Sequence, residues 1–200
     1  MKLALVQSAG DNYQNITDIC LPNHQQYAKK HGYDCLFKID NNNLLSGRFI
    51  YALQVLAQYD AVCVVDMDLL FMNLSVQLED KLGNFDLVSG QDINGLNSSV
   101  VIIRNSKWSF DFWNNYFNHY WAYTSCGEQT TLAYHLCAAD KSKWTILPPR
   151  NLFSYLSKRL YNRDYLSEEY QHGDFAITTP GISLEDRATV LSEYVEKVIT

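Results

Sequence analysis

The chain has 200 residues, a length that suits one medium domain with a sizeable hydrophobic core. Hydrophobic residues make up 47% of the chain and aromatic residues 14%, a composition that excludes an intrinsically disordered protein. The formal net charge of −6 argues against a general nucleic-acid binder, because such proteins usually present a basic surface.

Apolar runs and helical periodicities alternate along most of the chain. We interpret the apolar runs as strands over 2–9, 35–39, 61–71, 86–90, 98–105 and 144–148. The helical spacing of apolar residues predicts helices over 16–31, 48–59, 106–123 and 127–139. Gly32 is the expected end of the first helix. This order predicts a single α/β domain with a mostly parallel central sheet flanked by helices.

Residues 146–200 differ in character from the core over 1–145. They begin with a long stretch that is aromatic, mixed in charge and irregular, which we interpret as a lid or closing segment. An amphipathic helix follows over 183–199, and Ser183 with Asp186 gives it a cap-like start. The second part is too short for a separate domain, so both parts belong to one.

The cysteines are odd in number and widely spaced, and none forms a Cys-x-x-Cys pair: Cys20, Cys35, Cys63, Cys126 and Cys137. This pattern is typical of free thiols in a reducing compartment. The first residues hold too short an apolar run for a signal peptide, and no run approaches the ~20 residues of a membrane helix. We therefore expect a cytoplasmic protein or an excised soluble domain, with no membrane segment.

Two carboxylates, Asp66 and Asp68, interrupt the apolar run over 61–71. In open α/β sheets, ligands bind at the carboxyl edge of the strands, where these side chains would project. Two carboxylates in a dry place are costly through desolvation and mutual repulsion, and a divalent cation removes both penalties. Hard oxygen ligands suit Mg²⁺ or Mn²⁺, which in turn suit a diphosphate. The alternative is that both side chains cap the next turn and form ion pairs at the surface.

Four stretches resemble, in order, the motifs of metal-dependent glycosyltransferases of the GT-A fold. "VVDMDLLFMN" is similar to their DxD segment, and "SGRFIYALQVL" resembles the preceding helix, with Arg48 as its basic residue. "GLNSSVVIIRNSKW" resembles the stretch in which Asn97 would touch the donor sugar, and "GEQTTLAYHL" is similar to the helix start that carries Glu128 and Gln129. The order is typical of retaining enzymes of the galactosyl/xylosyltransferase and glycogenin-like kinds, among them small viral or bacterial ones.

The resemblance implies a single-domain, Rossmann-like GT-A fold in which residues 1–145 bind the nucleotide sugar and 146–200 form the acceptor side. The implied activity is transfer of a hexose or related sugar from a UDP-sugar to a glycan or glycoprotein acceptor, with retention at the anomeric carbon. Mn²⁺ or Mg²⁺ is the implied cofactor, and no nucleic acid is an expected partner.

The same resemblance assigns roles to individual residues. Donor contacts are expected from Val6, Gln7, Tyr13, Arg48, Asp66, Met67, Gln91 and Asn97. Gln129 would lie behind the anomeric carbon and assist front-side attack, while Glu128 or Asp92 would act as nucleophile in a double displacement; both mechanisms stay open.

Asp66 and Asp68 are the expected metal ligands, and the third ligand is an open question. Relatives supply a His from a His-x-x-Gly segment, whereas this chain has Thr178 at that place. His172 or Asp174, just upstream, is then the candidate third ligand, with water as the alternative.

Two other functions fit parts of the sequence. One is a DxD phosphohydrolase of the haloacid dehalogenase kind, although there the aspartate pair usually follows the first strand. The other is a non-catalytic sugar-binding module, which the missing His favours.

Overall fold

The computed structural model describes residues 1–42, 46–92, 95–119, 127–156 and 169–200. Its strands are β1 Leu3–Ala9, β2 Asp34–Ile39, β3 Ala61–Val65, β4 Leu69–Phe71, β5 Leu87–Asp92, β6 Gly95–Arg104, β7 Trp144–Leu147, β8 Ser154–Tyr155 and β9 Ala176–Thr178. Its α-helices are α1 Gln14–His31, α2 Gly47–Leu56, α3 Leu78–Leu82, α4 Lys107–His119, α5 Gly127–Ala138 and α6 Leu184–Val195. The last residues of the predicted helix over 106–123, and Cys126, lie outside the described ranges.

Helix ends follow the local signals of the sequence. Helix α1 ends at Gly32, whose φ of 71° lies in the left-handed region that glycine adopts without strain. Helix α6 is capped by Ser183, whose hydroxyl oxygen accepts a hydrogen bond from the backbone N–H of Asp186 at 3.1 Å. The same hydroxyl donates to the Asp186 carboxylate at 2.7 Å, so the predicted cap is confirmed.

The central sheet has the strand order β2-β1-β3-β6-β5-β7. Strands β2, β1 and β3 are mutually parallel, and β5 is parallel to β7. Strand β6 is antiparallel to both of its neighbours, β3 and β5. Five strands therefore run in one direction and one runs against them, which confirms the mostly parallel sheet.

A second, three-stranded sheet has the order β4-β9-β8. It shows that the apolar run over 61–71 is two strands, because β3 ends at Val65 and the chain turns before β4. It also ties parts of the irregular closing segment into the fold. Strands of two or three residues are too short to show a period of two, so the sequence pattern did not reveal them.

Hydrophobic clusters cover both faces of the central sheet, as predicted for a flanked α/β sheet. One face packs on α2, α4 and α5 through side chains such as Phe49 and Trp113, and the other packs on α1 through Tyr27. A third cluster holds α6 against α1 and β9, with Leu191 and Ile177 at its centre. This packing fixes the first turn of α6 beside the carboxyl ends of β1 and β3.

The described helices include none that combines the length and the apolar character needed to cross a membrane.

Candidate active site

A cavity of about 690 Å³ lies at the carboxyl ends of β1 and β3. Its wall is completed by the start of β6, by the first turns of α2 and α5, and by the segment that leads into α6. Because β6 runs antiparallel to β3, its first residues lie at the same edge, and the Asp66 N–H donates to the Ser99 carbonyl at 2.9 Å. A cavity of this size is typical of small-molecule sites.

Arg48 links two carboxylates in the cavity wall. Its Nη1 lies 2.8 Å from Asp66 Oδ1, and its Nη2 pairs with Glu128. The same Nη2 donates to the carbonyl and hydroxyl oxygens of Ser98, both at 3.3 Å. Burial alone would lower the pKa of Arg48, but the neighbouring carboxylates raise it overall, so the guanidinium stays charged.

Glu128 is buried at the start of α5 but keeps one oxygen free. Its Oε1 accepts hydrogen bonds from Arg48 and from the Ser98 hydroxyl, the latter at 3.0 Å. Its Oε2 is buried and has no hydrogen-bond partner within the described residues. Burial raises the pKa of Glu128, and Arg48 opposes that rise. An unpaired buried carboxylate oxygen is costly, so Oε2 is the oxygen of Glu128 that has hydrogen-bonding capacity left for another donor.

Asp68 pairs with Arg187 from the first turn of α6. Arg187 Nη1 lies 2.6 Å from Asp68 Oδ2 and also donates to the Tyr13 hydroxyl at 3.3 Å. Burial first, and then the Asp66 carboxylate, raise the pKa of Asp68 to about 6, while Arg187 lowers it. Asp68 is only 6% exposed, so the interpretation of the aspartates as surface ion pairs is wrong for this residue.

The predicted set of three protein metal ligands is not assembled. Asp66 and Asp68 both line the cavity, but His172 is exposed and is not part of the wall. Asp174 is engaged elsewhere, because it accepts hydrogen bonds from Arg150 and from Ser154. Across the described ranges, no group of three or more His, Cys, Asp or Glu side chains is placed to hold a metal ion.

The predicted sugar-binding residues take three different positions. Asn97 and Gln129 line the cavity, and Gln129 Oε1 accepts from the Ser98 N–H at 3.1 Å. Asp92 is buried behind Asn97 and accepts from its Nδ2 at 2.9 Å. Gln91 is exposed and does not line the cavity.

Tyr155 fixes the Asn97 side chain and was missed from the sequence. Its hydroxyl donates to Asp92 Oδ2 at 2.9 Å and accepts from Asn97 Nδ2 at 2.7 Å. Asn97 is thereby held on one side by β5 and on the other by β8. Tyr155 lies in the stretch interpreted as an irregular lid, and no local signal distinguishes it from the other tyrosines there.

Two of the residues expected to contact the donor, Val6 and Gln7, lie in the covered part of β1. Val6 and Gln7 are completely buried, Val6 in the core and Gln7 with its amide on Cys35 and His24. Their side chains are therefore not placed to contact a ligand, because β1 continues as a covered strand to Ala9. The cavity wall begins two residues after Val6, at Ser8, and continues to Tyr13; further along the chain, Met67 also lines it.

Solved glycosyltransferases share this fold over nearly the whole chain. A glycosyltransferase involved in the glycosylation of the major capsid of PBCV-1 has a TM-score of 0.72 at 10% identity, covering 96% of this chain and 100% of that one. The galactosyltransferase LgtC has a TM-score of 0.59 at 14% identity, with 100% and 97% covered. Mouse xyloside xylosyltransferase 1 has a TM-score of 0.54 at 9% identity, with 92% and 100% covered.

The mixed α/β fold is that of the GT-A glycosyltransferases. The sequence pattern of the galactosyl transferase GMA12/MNN10 family matches residues 83–187, more than half of the chain, and the chain belongs to this family. The comparison with curated protein sequences gives no match to this chain. The expectation of a GT-A glycosyltransferase is thus confirmed.

Proposed function

We propose that the protein transfers a hexose or related sugar from a UDP-sugar to a glycan or glycoprotein acceptor, with a divalent metal and with retention at the anomeric carbon. The observation that carries this proposal is the convergence of Asp66, Asp68, Asn97, Glu128 and Gln129 on one cavity. Carboxylates suited to a metal and polar groups suited to sugar hydroxyls then face the same space. Family membership supports sugar transfer as the reaction class.

The charges of the cavity favour a metal. Three carboxylates and two guanidinium groups belong to its wall, and each guanidinium is already paired with at least one carboxylate. The wall therefore has a net negative charge, and the diphosphate of a UDP-sugar would add more. A divalent cation between the wall and the diphosphate offsets both.

The donor set fits Mn²⁺ or Mg²⁺ without a third protein ligand. Asp66 and Asp68 would hold the ion, because Mg²⁺ in proteins is usually bound by one or two carboxylates together with substrate phosphates and water. Bound there, the ion supplies Lewis-acid stabilisation of the departing UDP. Tyr13, in the wall formed by the loop after β1, is the proposed stacking partner of the uracil ring.

Gln129 and Glu128 are the proposed residues at the reacting carbon. An amide is a poor nucleophile, so we assign Gln129 an electrostatic role in front-side attack. The free Oε2 of Glu128 supports its use as an acceptor for a donor-sugar hydroxyl, and it equally fits a nucleophile in a double displacement. Asp92 is less suited to the nucleophile role, because its Oδ2 is held by Asn97 and Tyr155.

Calorimetric titration of UDP into the protein, with Mn²⁺ and with EDTA, tests the proposal. We expect binding with Mn²⁺ that weakens by about tenfold or more in EDTA and in Asp68→Asn. Asp111→Asn is the matched control, since Asp111 is an exposed carboxylate on α4 that pairs with Lys107. Release of UDP from a panel of UDP-sugars then identifies the donor.

Two results would contradict the proposal. Absence of UDP binding in either condition excludes the UDP-sugar donor, and beryllofluoride trapped on Asp66 would then favour the phosphohydrolase. Sugar binding that is independent of UDP and of metal favours the non-catalytic module.

A further inference from the structure

We propose that Arg187 is a tethered counter-cation of the metal site. In the free protein its guanidinium holds the Asp68 carboxylate; when the nucleotide sugar binds, it releases that carboxylate to the divalent ion and pairs with the diphosphate. This inference rests on the proposed function, because it assumes that Asp68 is a metal ligand. It makes the binding of metal and nucleotide mutually dependent.

The ion pair between Arg187 and Asp68 occupies one of the two carboxylate oxygens that Asp68 could offer to a metal. The two side chains are 10% and 9% exposed, and their atoms Nη1 and Oδ2 are 2.6 Å apart. A charge-assisted contact at this distance in a buried place is strong. A metal ion that uses Asp68 Oδ2 must therefore displace the guanidinium.

Arg187 lies at the end of α6 that does not suit a cation. It is the fourth residue of the helix, and its N–H bonds to the carbonyl of the capping residue, Ser183. The N-terminus of a helix carries partial positive charge, so it favours anions and disfavours a guanidinium. An anion beside the guanidinium offsets this effect, and Asp68 is the carboxylate that pairs with it.

Displacement would leave Arg187 without an anionic partner. Its guanidinium makes two other hydrogen bonds in the described structure, to the Tyr13 hydroxyl and the Ile182 carbonyl, and it also lies over the uncharged Tyr13 ring. Arg48 differs in this respect, because it retains Glu128 if Asp66 turns to a metal. An uncompensated guanidinium in a buried place is unfavourable, so metal alone is expected to bind weakly.

A diphosphate supplies the missing partner. Arg187 is part of the cavity wall, and its Nε is buried without a hydrogen-bond partner among the described residues. The guanidinium therefore keeps an unused donor as well as the donor released from Asp68. The diphosphate pairs with the guanidinium that the metal displaces, and the metal offsets the negative charge that the diphosphate brings. Linkage then requires that each ligand raises the affinity of the other by the same factor.

The test compares Arg187→Gln with the wild-type protein in two calorimetric titrations. The first titrates Mn²⁺ alone, and we expect the variant to bind it about tenfold more tightly, since the competing cation is gone. The second titrates UDP at saturating Mn²⁺, and we expect the variant to bind it about tenfold more weakly, since the phosphate partner is gone. A merely structural role for Arg187 would not change the two affinities in opposite directions.

Arg187→Lys is the second variant, for the case that the glutamine variant does not fold. A lysine keeps the charge but offers a single ammonium in place of the guanidinium fork, so we expect the same two changes at smaller size. Circular dichroism establishes that each variant is folded.

The outcomes separate this inference from the proposed function. If the wild-type protein shows no metal-dependent UDP binding, the proposed function is overturned and this inference falls with it. If wild-type binding is intact and the variants bind Mn²⁺ alone with unchanged or lower affinity, the proposed function stands and Arg187 is not a competing cation.

Discussion

Replacement of Arg48 by Met tests whether the buried charge network stabilises the fold. The substitution keeps an apolar stem and removes the guanidinium that joins Asp66 to Glu128. Breaking a buried ion pair by removing one partner typically costs about 3–5 kcal/mol, because the remaining charge is uncompensated. Here the Asp66 side chain is 23% exposed and Glu128 keeps the Ser98 hydroxyl, so we expect the lower end, about 3 kcal/mol.

Urea unfolding followed by tryptophan fluorescence measures this change in the free energy of unfolding. The chain has four tryptophans, and one of them, Trp113, is completely buried and stacks on Phe49 beside Arg48. We expect a lower midpoint with an unchanged slope, because the surface exposed on unfolding stays the same.

Two further variants make the Arg48 result interpretable. Adding Glu128→Gln to Arg48→Met removes one stranded carboxylate, so we expect about half of the loss to be recovered. Lys107→Met, which breaks an exposed pair with Asp111, is expected to change stability by less than about 0.5 kcal/mol. The reasoning is refuted if Arg48→Met lies within about 1 kcal/mol of the wild type, or if the losses of Arg48→Met and of Glu128→Gln, each measured alone, simply add in the double variant.

Two more predictions concern the fold around the site. A Cβ on Gly90 would lie 2.3 Å from the Phe153 ring, so we expect Gly90→Ala to cost about 1–3 kcal/mol in urea unfolding and Phe153→Leu to relieve part of that cost. A rise in stability in Gly90→Ala would contradict this. Complete burial lowers the pKa of His24 to about 4 from an ordinary value near 6.5. The unfolded chain therefore takes up this proton at a higher pH than the folded protein, and stability falls as the pH drops from about 6.5 to 4, by up to about 3 kcal/mol. His24→Gln should flatten this part of the stability curve, and parallel curves would argue against a role for His24.

Most of the confirmed predictions rest on local signals in the sequence. The glycine after α1 and the Ser183 cap each depend on neighbours within a few residues, and each is present as expected. Of the strand predicted over 61–71, the first part, Ala61–Val65, is one strand and the rest belongs to another. The alternation of these elements was enough for the fold class, because parallel strands joined by helices have few possible arrangements.

Contacts between residues that are far apart in the sequence were not predicted from it. Arg187 and Asp68 are 119 residues apart, and Tyr155 and Asn97 are 58 apart. The periodic spacing of apolar residues contains no information about such pairs. The burial of the Val6 and Gln7 side chains was not predicted either, since the sequence pattern does not mark where β1 becomes exposed.

The carboxylate pair illustrates what the spacing of Asp66 and Asp68 does and does not determine. The spacing identified two acids that need a positive charge, and it pointed to a metal. In the folded chain Arg48 and Arg187 already meet that need, one for each acid. Under the proposed function, a metal would therefore compete with two side chains, and its affinity would depend on whether an anionic ligand pairs with the arginine that it displaces.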